Sequence, residues 1–289
     1  MSRTIYLNGE FMAEDQAKIS IFDRGLLFSD AVYEGLGVLD GQIIDFTHHM
    51  TRLRRSLGEL KISEPMEQDE LFGFLMQLVR LNGVDEGFMY LHITRGVEDR
   101  DYLYGDALKP TIFAFTQPQH YGRADDVVRA ISMQSTPDLR WARRDIKTSN
   151  LLGQVLAKQA AREAGADEAV MIDGDGNVTE GGSTSFFIVK GGTLYIRPLS
   201  NEILGSITRK TMLRVAGELD VETSERLFTL EDVFLADEAF QTGASSYVEP
   251  VGQVDGNAIG NGQPGAFTLK LRAAYLKAVR STFYTPPKA

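Results

Sequence analysis

Two residues, a lysine and a glutamate, have types and settings that could hold a reactive cofactor. Lys147 ends the run W-A-R-R-D-I-K just before an apolar helical pattern, and Glu180 lies in the glycine-rich run N-V-T-E-G-G-S. A lysine amine can form a Schiff base with the aldehyde of pyridoxal phosphate. A carboxylate can hydrogen-bond the ring nitrogen and keep it protonated, which makes the ring an electron sink. The two side chains are therefore of the types that could hold a pyridoxal phosphate ring.

Lys147 also fits a plain interpretation, that of a surface lysine beside a helix capped by Ser149. The residues that follow favour the first interpretation, because they are apolar at helical spacing. They are Leu151, Leu152, Val155 and Leu156. We therefore expect the helix to be buried and Lys147 to be drawn toward the interior. A partly desolvated amine has a lowered pKa and becomes a usable nucleophile.

Glu180 taken alone fits a solvated carboxylate in a turn. However, the strand pattern that follows, residues 185–189, is almost continuously apolar and therefore predicts a buried strand. A carboxylate at the mouth of a buried strand needs a partner.

Three further features could hold a phosphate group. Residues 205–208 open a helix, where free N–H groups and the helix dipole favour anions. Arg52 lies beside the apolar stripe of an earlier helix, and residues 242–246 follow a strand and could form an N–H nest. Each feature alone also fits a helix cap, a surface arginine or a plain loop. The sequence contains no dinucleotide-binding or P-loop glycine pattern.

The composition is that of an ordinary globular chain of 289 residues with a net charge of -10. Its acidity argues against nucleic acid or an anionic membrane as a partner. The chain has no cysteine, which excludes disulfides and thiolate metal sites. The four histidines lack metal-site spacing, and we expect His48 and His49 on the exposed side of a helix start. No apolar run approaches the ~20 residues of a membrane span, and no targeting segment precedes the first strand pattern, so we expect a cytoplasmic protein.

Hydrophobic periodicity and turn residues predict two α+β domains rather than a doubly wound sheet. Residues 1–117 form the first, residues 118–126 a polar interdomain linker, and residues 127–289 the second. Asn8-Gly9 and Asp40-Gly41 predict hairpin turns. The predicted helices are residues 47–60, 71–81, 149–164, 206–219 and 265–280, with a further short helix capped by Thr229 and Asp232. The predicted strands include residues 88–94, 111–116, 127–133, 169–172 and 185–189.

Taken together, these stretches resemble the class IV, or fold type IV, pyridoxal-phosphate aminotransferases, and among them most the D-amino acid (D-alanine) aminotransferases. The resemblance runs from D-R-G-L-L-F-S-D-A-V-Y-E (residues 23–34) through the lysine and glutamate motifs. It ends in E-I-L-G-S-I-T-R (residues 202–209) and the T-G-A-S-S loop. It implies a small N-terminal α/β domain, a larger C-terminal pseudo-barrel α/β domain and pyridoxal 5'-phosphate bound between them. It also implies a homodimer that completes the site.

The resemblance implies a role for each candidate residue. Lys147 would be the Schiff-base lysine and proton shuttle, and Glu180 would pair with the pyridine nitrogen. The other implied cofactor contacts are Arg52, Ile207 and Thr208 at the phosphate, Leu204 at one ring face, and Ser183 and Ser245. Tyr33 and Arg100 would bind the substrate carboxylate, with Tyr102 beside them. No metal is implied.

The chain departs from the D-alanine aminotransferase pattern at three positions. Tyr102 stands where a histidine is usual, Ala244 replaces a phosphate-loop threonine, and Ser185 replaces an asparagine. We expect transfer of amino groups between D-amino acids, such as D-alanine and D-glutamate, and 2-oxo acids, such as pyruvate and 2-oxoglutarate. The alternatives in the same fold are a branched-chain L-amino acid aminotransferase, an (R)-amine transaminase and an aminodeoxychorismate lyase. A protein of this fold that has lost activity is disfavoured, because Lys147 and Glu180 are both present.

Overall fold

The computed structural model describes residues 2–118 and 125–287, which pack as two compact units. Unit 1 comprises Met1–His120, Ile146–Asn150 and Thr282–Ala289, and unit 2 comprises Tyr121–Asp145 and Leu151–Ser281. Two segments that the sequence analysis put in the second domain therefore group with the first, and one of them carries Lys147. Residues 119–124 of the expected linker lie outside the described residues.

Unit 1 is built on an antiparallel sheet. Its elements are β1 (Thr4–Leu7), β2 (Glu10–Ala13), α1 (Arg24–Phe28), β3 (Ala31–Leu39), β4 (Gln42–Ile43), α2 (Phe46–Leu60), α3 (Gln68–Leu81), β5 (Gly87–Thr94) and β6 (Ile112–Pro118). The six strands follow the order β2-β1-β6-β5-β3-β4. Asn8 and Asp40 adopt positive φ, each with a following positive-φ glycine, so both predicted hairpin turns are confirmed.

Side chains alternate between the two faces of this sheet. Val32, Leu36 and Leu91 belong to one core cluster with Met50 and Leu57 of α2, so one face packs under the helices. The apolar stripe predicted for α2 is therefore confirmed. The opposite face carries Tyr90 of β5 and Phe115 of β6, whose rings stack on each other.

Unit 2 is built on a larger mixed sheet. Its elements are β7 (Ile131–Pro137), α4 (Leu152–Glu163), β8 (Glu168–Ile172), β9 (Val178–Gly181), β10 (Ser185–Lys190), β11 (Thr193–Ile196), α5 (Ile207–Glu218), β12 (Thr223–Glu225), α6 (Leu230–Phe234), β13 (Glu238–Gly243), β14 (Tyr247–Val254), β15 (Asn257–Ala258) and α7 (Ala266–Arg280). The nine-stranded sheet follows the order β12-β11-β10-β13-β14-β7-β8-β9, and β15 pairs with β14. No described helix has both the length and the apolar composition of a membrane span.

The capping predictions for unit 2 have mixed outcomes. Thr229 forms a capping box with Asp232 at the start of α6, and Ser206 caps α5 by accepting from the Arg209 N–H, so both predicted helix starts are confirmed. Ser149 does not cap α4, because the hydroxyl of Ser149 instead donates to the carbonyl of Ser29 at 3.2 Å. The strand predicted at residues 127–133 is also misplaced, since β7 begins at residue 131.

Candidate active site

Lys147 is placed by backbone pairing against the edge of β3. The N–H of Tyr33 donates to the carbonyl of Lys147 at 3.0 Å, and the N–H of Ser149 donates to that of Ala31 at 3.2 Å. The Lys147 side chain is half-buried, and its Nζ lies 4.1 Å from the centroid of the Tyr33 ring. The sheet of unit 1 therefore fixes both the backbone and the surroundings of the amine.

The helix after Lys147 does not pack as the sequence predicted. Leu152, Val155 and Leu156 are 66%, 58% and 52% exposed. Ala157 and Ala161 are buried instead and pack on β8. The prediction that the leucines and valine bury this helix is therefore wrong, because the small alanines form its core-facing stripe. The larger apolar side chains of α4 point to the surface of the single chain.

Tyr33 belongs to an aromatic surface on the sheet face away from α2. Its ring stacks on that of Tyr90 at a centroid distance of 5.3 Å. The Tyr90 hydroxyl lies 2.9 Å from Nδ1 of His92, and Tyr90 also stacks on Phe115. Burial lowers the pKa of His92 to about 4. His92 is therefore neutral near pH 7, and this surface presents rings beside Lys147 rather than a fixed charge.

Arg52 is held by a buried glutamate of β3. Nε of Arg52 donates to Oε1 of Glu34 at 2.9 Å, and Nη2 donates to Oε2 at 2.6 Å. Nδ1 of His49 lies 2.7 Å from the same Oε2. Burial alone would raise the pKa of Glu34, but the Arg52 charge and the hydrogen bonds from Arg52 and His49 lower it to about 2. The arginine predicted to bind phosphate is thus oriented by a fully ionised partner.

His49 contradicts the expectation of an exposed position, because it is only 3% exposed. Burial lowers the pKa of His49 below its ordinary value. It therefore contacts Glu34 as a neutral hydrogen-bond donor, and the charge balance of the cluster is one carboxylate against one guanidinium.

Glu180 lies within β9 rather than in the turn that the sequence predicted. It is 5% exposed. Nη1 of Arg140 donates to its Oε2 at 2.5 Å, and the backbone N–H of Leu204 donates to the same oxygen at 3.1 Å. The expected partner of this buried carboxylate is therefore Arg140, which the sequence analysis did not single out.

Arg140 serves a second carboxylate as well. Its Nε and Nη2 donate to the two oxygens of Asp138 at 3.0 and 2.7 Å, and the Thr179 hydroxyl donates to Asp138 at 2.7 Å. Burial raises the pKa of Glu180 above its ordinary value, and the shared charge of Arg140 opposes that rise. Glu180 therefore retains the capacity to interact with another cationic donor.

The start of α5 keeps the properties expected of an anion site. Ile207 and Thr208 occupy its first turn, where backbone N–H groups have no acceptor within the helix. Both residues are buried, at 7% and 5% exposure. Leu204, whose N–H bonds Glu180, lies three residues before this helix. Leu204, the candidate contact to the cofactor ring, and Ile207 and Thr208, the candidate contacts to the phosphate, therefore lie in one short segment.

The remaining predicted cofactor contacts, Ser183 and Ser245, are more exposed than Ile207 and Thr208. Ser183 is exposed and accepts a hydrogen bond from Lys158 at 3.2 Å, so the structure engages it in a surface contact. Ser245 is half-buried in the loop between β13 and β14, next to Ala244. Near the end of β13, the buried Thr242 hydroxyl has no hydrogen-bond partner within the described part of the chain.

Arg100 and Tyr102 lie in the loop between β5 and β6. Tyr102 is 77% exposed and Arg100 is exposed as well. The guanidinium carbon of Arg100 lies 5.4 Å from the centroids of both the Phe28 and Tyr102 rings. The structure therefore presents the predicted substrate arginine at the surface of unit 1.

The sequence analysis did not identify Glu34, Asp138 and Arg140 as partners of the candidate site residues, and only the first of them has a sequence pattern that could have revealed it. Glu34 stands among core-facing residues of β3 at period two, so its position signals a buried carboxylate in need of a partner. Asp138 and Arg140 precede Lys147 in a segment without a regular pattern, and only the fold brings them to Glu180. Within residues 2–118 and 125–287, no cluster of acidic and histidine side chains could hold a metal ion.

Comparison with known proteins gives one consistent family. The model of the class IV aminotransferases matches residues 31–254. The chain is 36% identical to a D-alanine aminotransferase of Staphylococcus haemolyticus over 279 residues, which covers 96% of this chain and 98% of that protein. It is 38% identical over 273 residues to a protein of Methanocaldococcus jannaschii named provisionally as a branched-chain-amino-acid aminotransferase, covering 94% of each.

A solved relative shares the fold. The branched-chain amino acid aminotransferase of Thermoproteus uzoniensis, solved with norvaline, superposes with a TM-score of 0.85. The two are 27% identical, and the match covers 97% of this chain and 96% of that one. The mixed α/β architecture expected from the sequence is thereby confirmed as fold type IV.

Proposed function

Because the chain belongs to the class IV aminotransferases, we propose that it moves amino groups between D-amino acids and 2-oxo acids. D-alanine and D-glutamate are the expected donors, and pyruvate and 2-oxoglutarate are the expected acceptors. The likeness to a D-alanine aminotransferase over nearly the whole of both chains supports the proposal.

The cofactor is pyridoxal 5'-phosphate, and the residues present fit it. Lys147 offers a half-buried amine. Glu180 offers a buried carboxylate, and the start of α5 offers backbone N–H groups. When bound, the cofactor carries the amino group and withdraws electrons from the substrate Cα.

The family resemblance supplies the residue roles that we propose. Lys147 would attach the cofactor through its amine and would move a proton at the substrate Cα. Glu180 would hold a proton at the ring nitrogen, and Arg140 keeps Glu180 in place. Arg52, Ile207 and Thr208 would hold the phosphate, with Arg52 oriented by Glu34. Leu204 would pack on the ring, and Ser183 and Ser245 would complete the set of cofactor contacts.

The observation that carries the D-amino acid proposal is the distribution of positive charge in unit 1. Branched-chain enzymes tend to place an aromatic-x-arginine pair on the strand before the loop, whereas β5 carries Tyr90 and the neutral His92. The exposed arginine of the following loop is Arg100. Arg100 therefore offers the bidentate donor for a substrate carboxylate, with Tyr33 and Tyr102 as hydroxyl donors.

The test compares donors of each class with one acceptor at a time. D-alanine with 2-oxoglutarate and D-glutamate with pyruvate are measured against L-leucine and (R)-phenylethylamine with either acceptor. Aminodeoxychorismate is assayed separately, without an acceptor, for elimination. We expect the D-amino acids to have the highest kcat/KM, and Arg100→Ala to raise their KM. If L-leucine is the best donor, or if Arg100→Ala leaves D-alanine kinetics unchanged, the proposal is wrong.

A branched-chain L-amino acid aminotransferase is the second candidate. The relative from Methanocaldococcus jannaschii, at 38% identity, favours it. The donor comparison separates the two directly, because the L and D donors compete for one site.

We also propose a homodimer in which the loop carrying Arg100 reaches the partner's site. Unit 1 exposes apolar side chains around this loop, which a monomer rarely leaves uncovered. They include Ile21, Leu26 and Val97, at 69%, 61% and 47% exposure. Mixing Lys147→Ala with Arg100→Ala should restore activity, because a mixed dimer holds one site with both residues intact. A monomer in light scattering, or no restoration after subunit exchange, counts against the shared site.

A further inference from the structure

Arg24, in the D-R-G motif at the start of α1, is bonded to the loop that carries Arg100. Arg24 is only 3% exposed. Its Nε donates to Oδ2 of Asp30 at 3.0 Å. Nη1 donates to the carbonyls of Asp101 and Leu103 at 2.7 and 3.1 Å, and Nη2 donates to that of Tyr102 at 3.3 Å. A buried guanidinium needs its donors satisfied, so Arg24 and the loop backbone stabilise each other.

The loop has little structure of its own. Residues 98–110 contain neither helix nor strand. Tyr102 and Leu103 are 77% and 79% exposed, so burial does not hold them. A second anchor is Glu98, whose two carboxylate oxygens each accept from the N–H of Gly105 at 3.2 Å. Side chains rather than backbone pairing therefore define the path of this segment.

Arg24 is itself held in a rigid setting. Asp30, its carboxylate partner, also accepts from Nε and Nη2 of Arg95 at 2.6 and 2.9 Å. Arg95 in turn donates to the carbonyls of Leu60 and Lys61 at the end of α2, at 2.7 and 3.2 Å. The chain of contacts from α2 to the loop is continuous, so the position of the loop is tied to the core of unit 1.

Arg100 lies beside this clamp. Its guanidinium contacts the rings of Phe28 and Tyr102, and the Phe28 ring is also 4.8 Å from the guanidinium carbon of Arg24. Cation–π contacts orient a guanidinium without neutralising its charge. The backbone of Tyr102 is held by Arg24, and the ring of Tyr102 contacts Arg100. Arg24 therefore orients Arg100 indirectly, and the Arg100 side chain remains exposed and charged.

We propose that Arg24 is a positioning residue that holds the backbone of residues 101–103 so that Arg100 is presented to the substrate carboxylate. This inference rests on the proposed function, in which Arg100 binds that carboxylate. A lysine would not replace Arg24, because its ammonium has three donors on a flexible stem, whereas the guanidinium offers five in a plane.

The kinetic test uses Arg24→Lys, which keeps the charge and removes the planar set of donors. We expect the KM for D-alanine to rise about tenfold with kcat nearly unchanged, because orientation is lost but no reacting group is. In the Arg100→Ala background, Arg24→Lys should add no further rise in KM, since the clamp acts through Arg100. An equal rise in both backgrounds, or none in either, would overturn the role.

A second readout is independent of activity. Trypsin cleaves after arginine, and Arg100 lies in the clamped loop. Native holoenzyme carrying Arg24→Lys should be cut after Arg100 about tenfold faster than wild type, because loop opening becomes easier. The matched control is Arg197→Lys in unit 2, where a buried arginine likewise donates to a carbonyl, that of Val178. Cleavage after Arg100 at the wild-type rate in Arg24→Lys would contradict the clamp.

If Arg24→Lys does not fold, Glu98→Ala is the alternative variant for the same two measurements. The Glu98 side chain is 31% exposed, so its loss leaves the core intact. We expect the same changes at a smaller size, about threefold in cleavage and in KM. Unchanged cleavage and KM would count against a side-chain clamp. Faster cleavage together with an Arg100→Ala variant of normal KM would overturn the proposed function of Arg100 and retain the clamp.

Discussion

Glu34 in unit 1 and Glu180 in unit 2 are both buried carboxylates that accept hydrogen bonds from an arginine. Glu34 receives three hydrogen bonds spread over both oxygens, two of them from Arg52 alone. At Glu180 both hydrogen bonds end on one oxygen, and Arg140 is divided between Glu180 and Asp138. Asp138 also lies 3.6 Å from Nε of Arg144. The two clusters therefore differ in how many hydrogen bonds each glutamate receives and in how its arginine is shared, not in the number of cations per carboxylate.

The different pairing changes what each carboxylate can do. The pKa of Glu34 falls to about 2, whereas burial raises that of Glu180. Glu34 is saturated, and its task is to orient Arg52. Glu180 is under-compensated, which suits a carboxylate that must interact with a protonated ring nitrogen. Burial alone does not distinguish the two glutamates, because both are buried and only their pKa shifts differ in direction.

The largest expected effect comes from breaking the saturated pair. Glu34→Gln removes the charge that compensates Arg52 in a buried setting, and we expect the free energy of unfolding to fall by about 4 kcal/mol. Urea unfolding of the cofactor-free protein measures this loss. Arg54→Gln is the control, since its ion pair with Glu64 is exposed and should contribute less than ~1 kcal/mol. Equal losses in the two variants would contradict a structural role for Glu34.

Glu180→Gln should instead affect chemistry. Loss of an electrostatic group of this kind costs roughly 3 kcal/mol in the transition state, or about a hundredfold in rate. The measurement is the half-reaction rate with the cofactor saturating. Borohydride reduction and peptide mapping provide the control, because Lys147 should be labelled in both proteins. Near wild-type turnover would remove Glu180 from the reaction.

The sequence predicted much of the fold because local signals agree with tertiary packing. The paired positive-φ turns, the stripe of α2 and the capping box at Thr229 all follow from short-range patterns. The prediction that the large apolar residues bury α4 was wrong. The spacing of apolar residues shows that one face of a helix is apolar, but it does not show which face packs against the core. Arg140 was missed because its contact with Glu180 spans 40 residues and no local pattern encodes it.

Arg52→Ala should weaken cofactor retention to a smaller degree. A hydrogen bond to a charged group contributes about 2 kcal/mol, so the dissociation constant should rise roughly thirtyfold. Ala244 supplies no hydroxyl in the loop after β13, which leaves more of the phosphate affinity to the arginine. Dialysis followed by absorbance measures retention, and inorganic phosphate should compete. Unchanged retention in Arg52→Ala would show that Arg52 serves only the Glu34 cluster.

The two glutamates should also differ in the sign of a pH dependence. Glu34 has a lowered pKa in the folded protein, so its contribution to stability is present above the unfolded value near 4.5 and is lost as the pH falls toward 2. The difference in the free energy of unfolding between wild type and Glu34→Gln should therefore narrow over that window, by at most about 1.4 kcal/mol per pH unit for one proton.

Glu180 has a raised pKa in the folded protein, so its contribution to stability is present below the unfolded pKa and is lost as the pH rises through the folded pKa. The gap between wild type and Glu180→Gln should accordingly shift in the opposite direction. Urea unfolding of cofactor-free proteins at closely spaced pH values measures both gaps. Gaps that change with the same sign would mean that Arg140 compensates Glu180 as fully as Arg52 compensates Glu34, and the distinction between a saturated and an under-compensated carboxylate would fail.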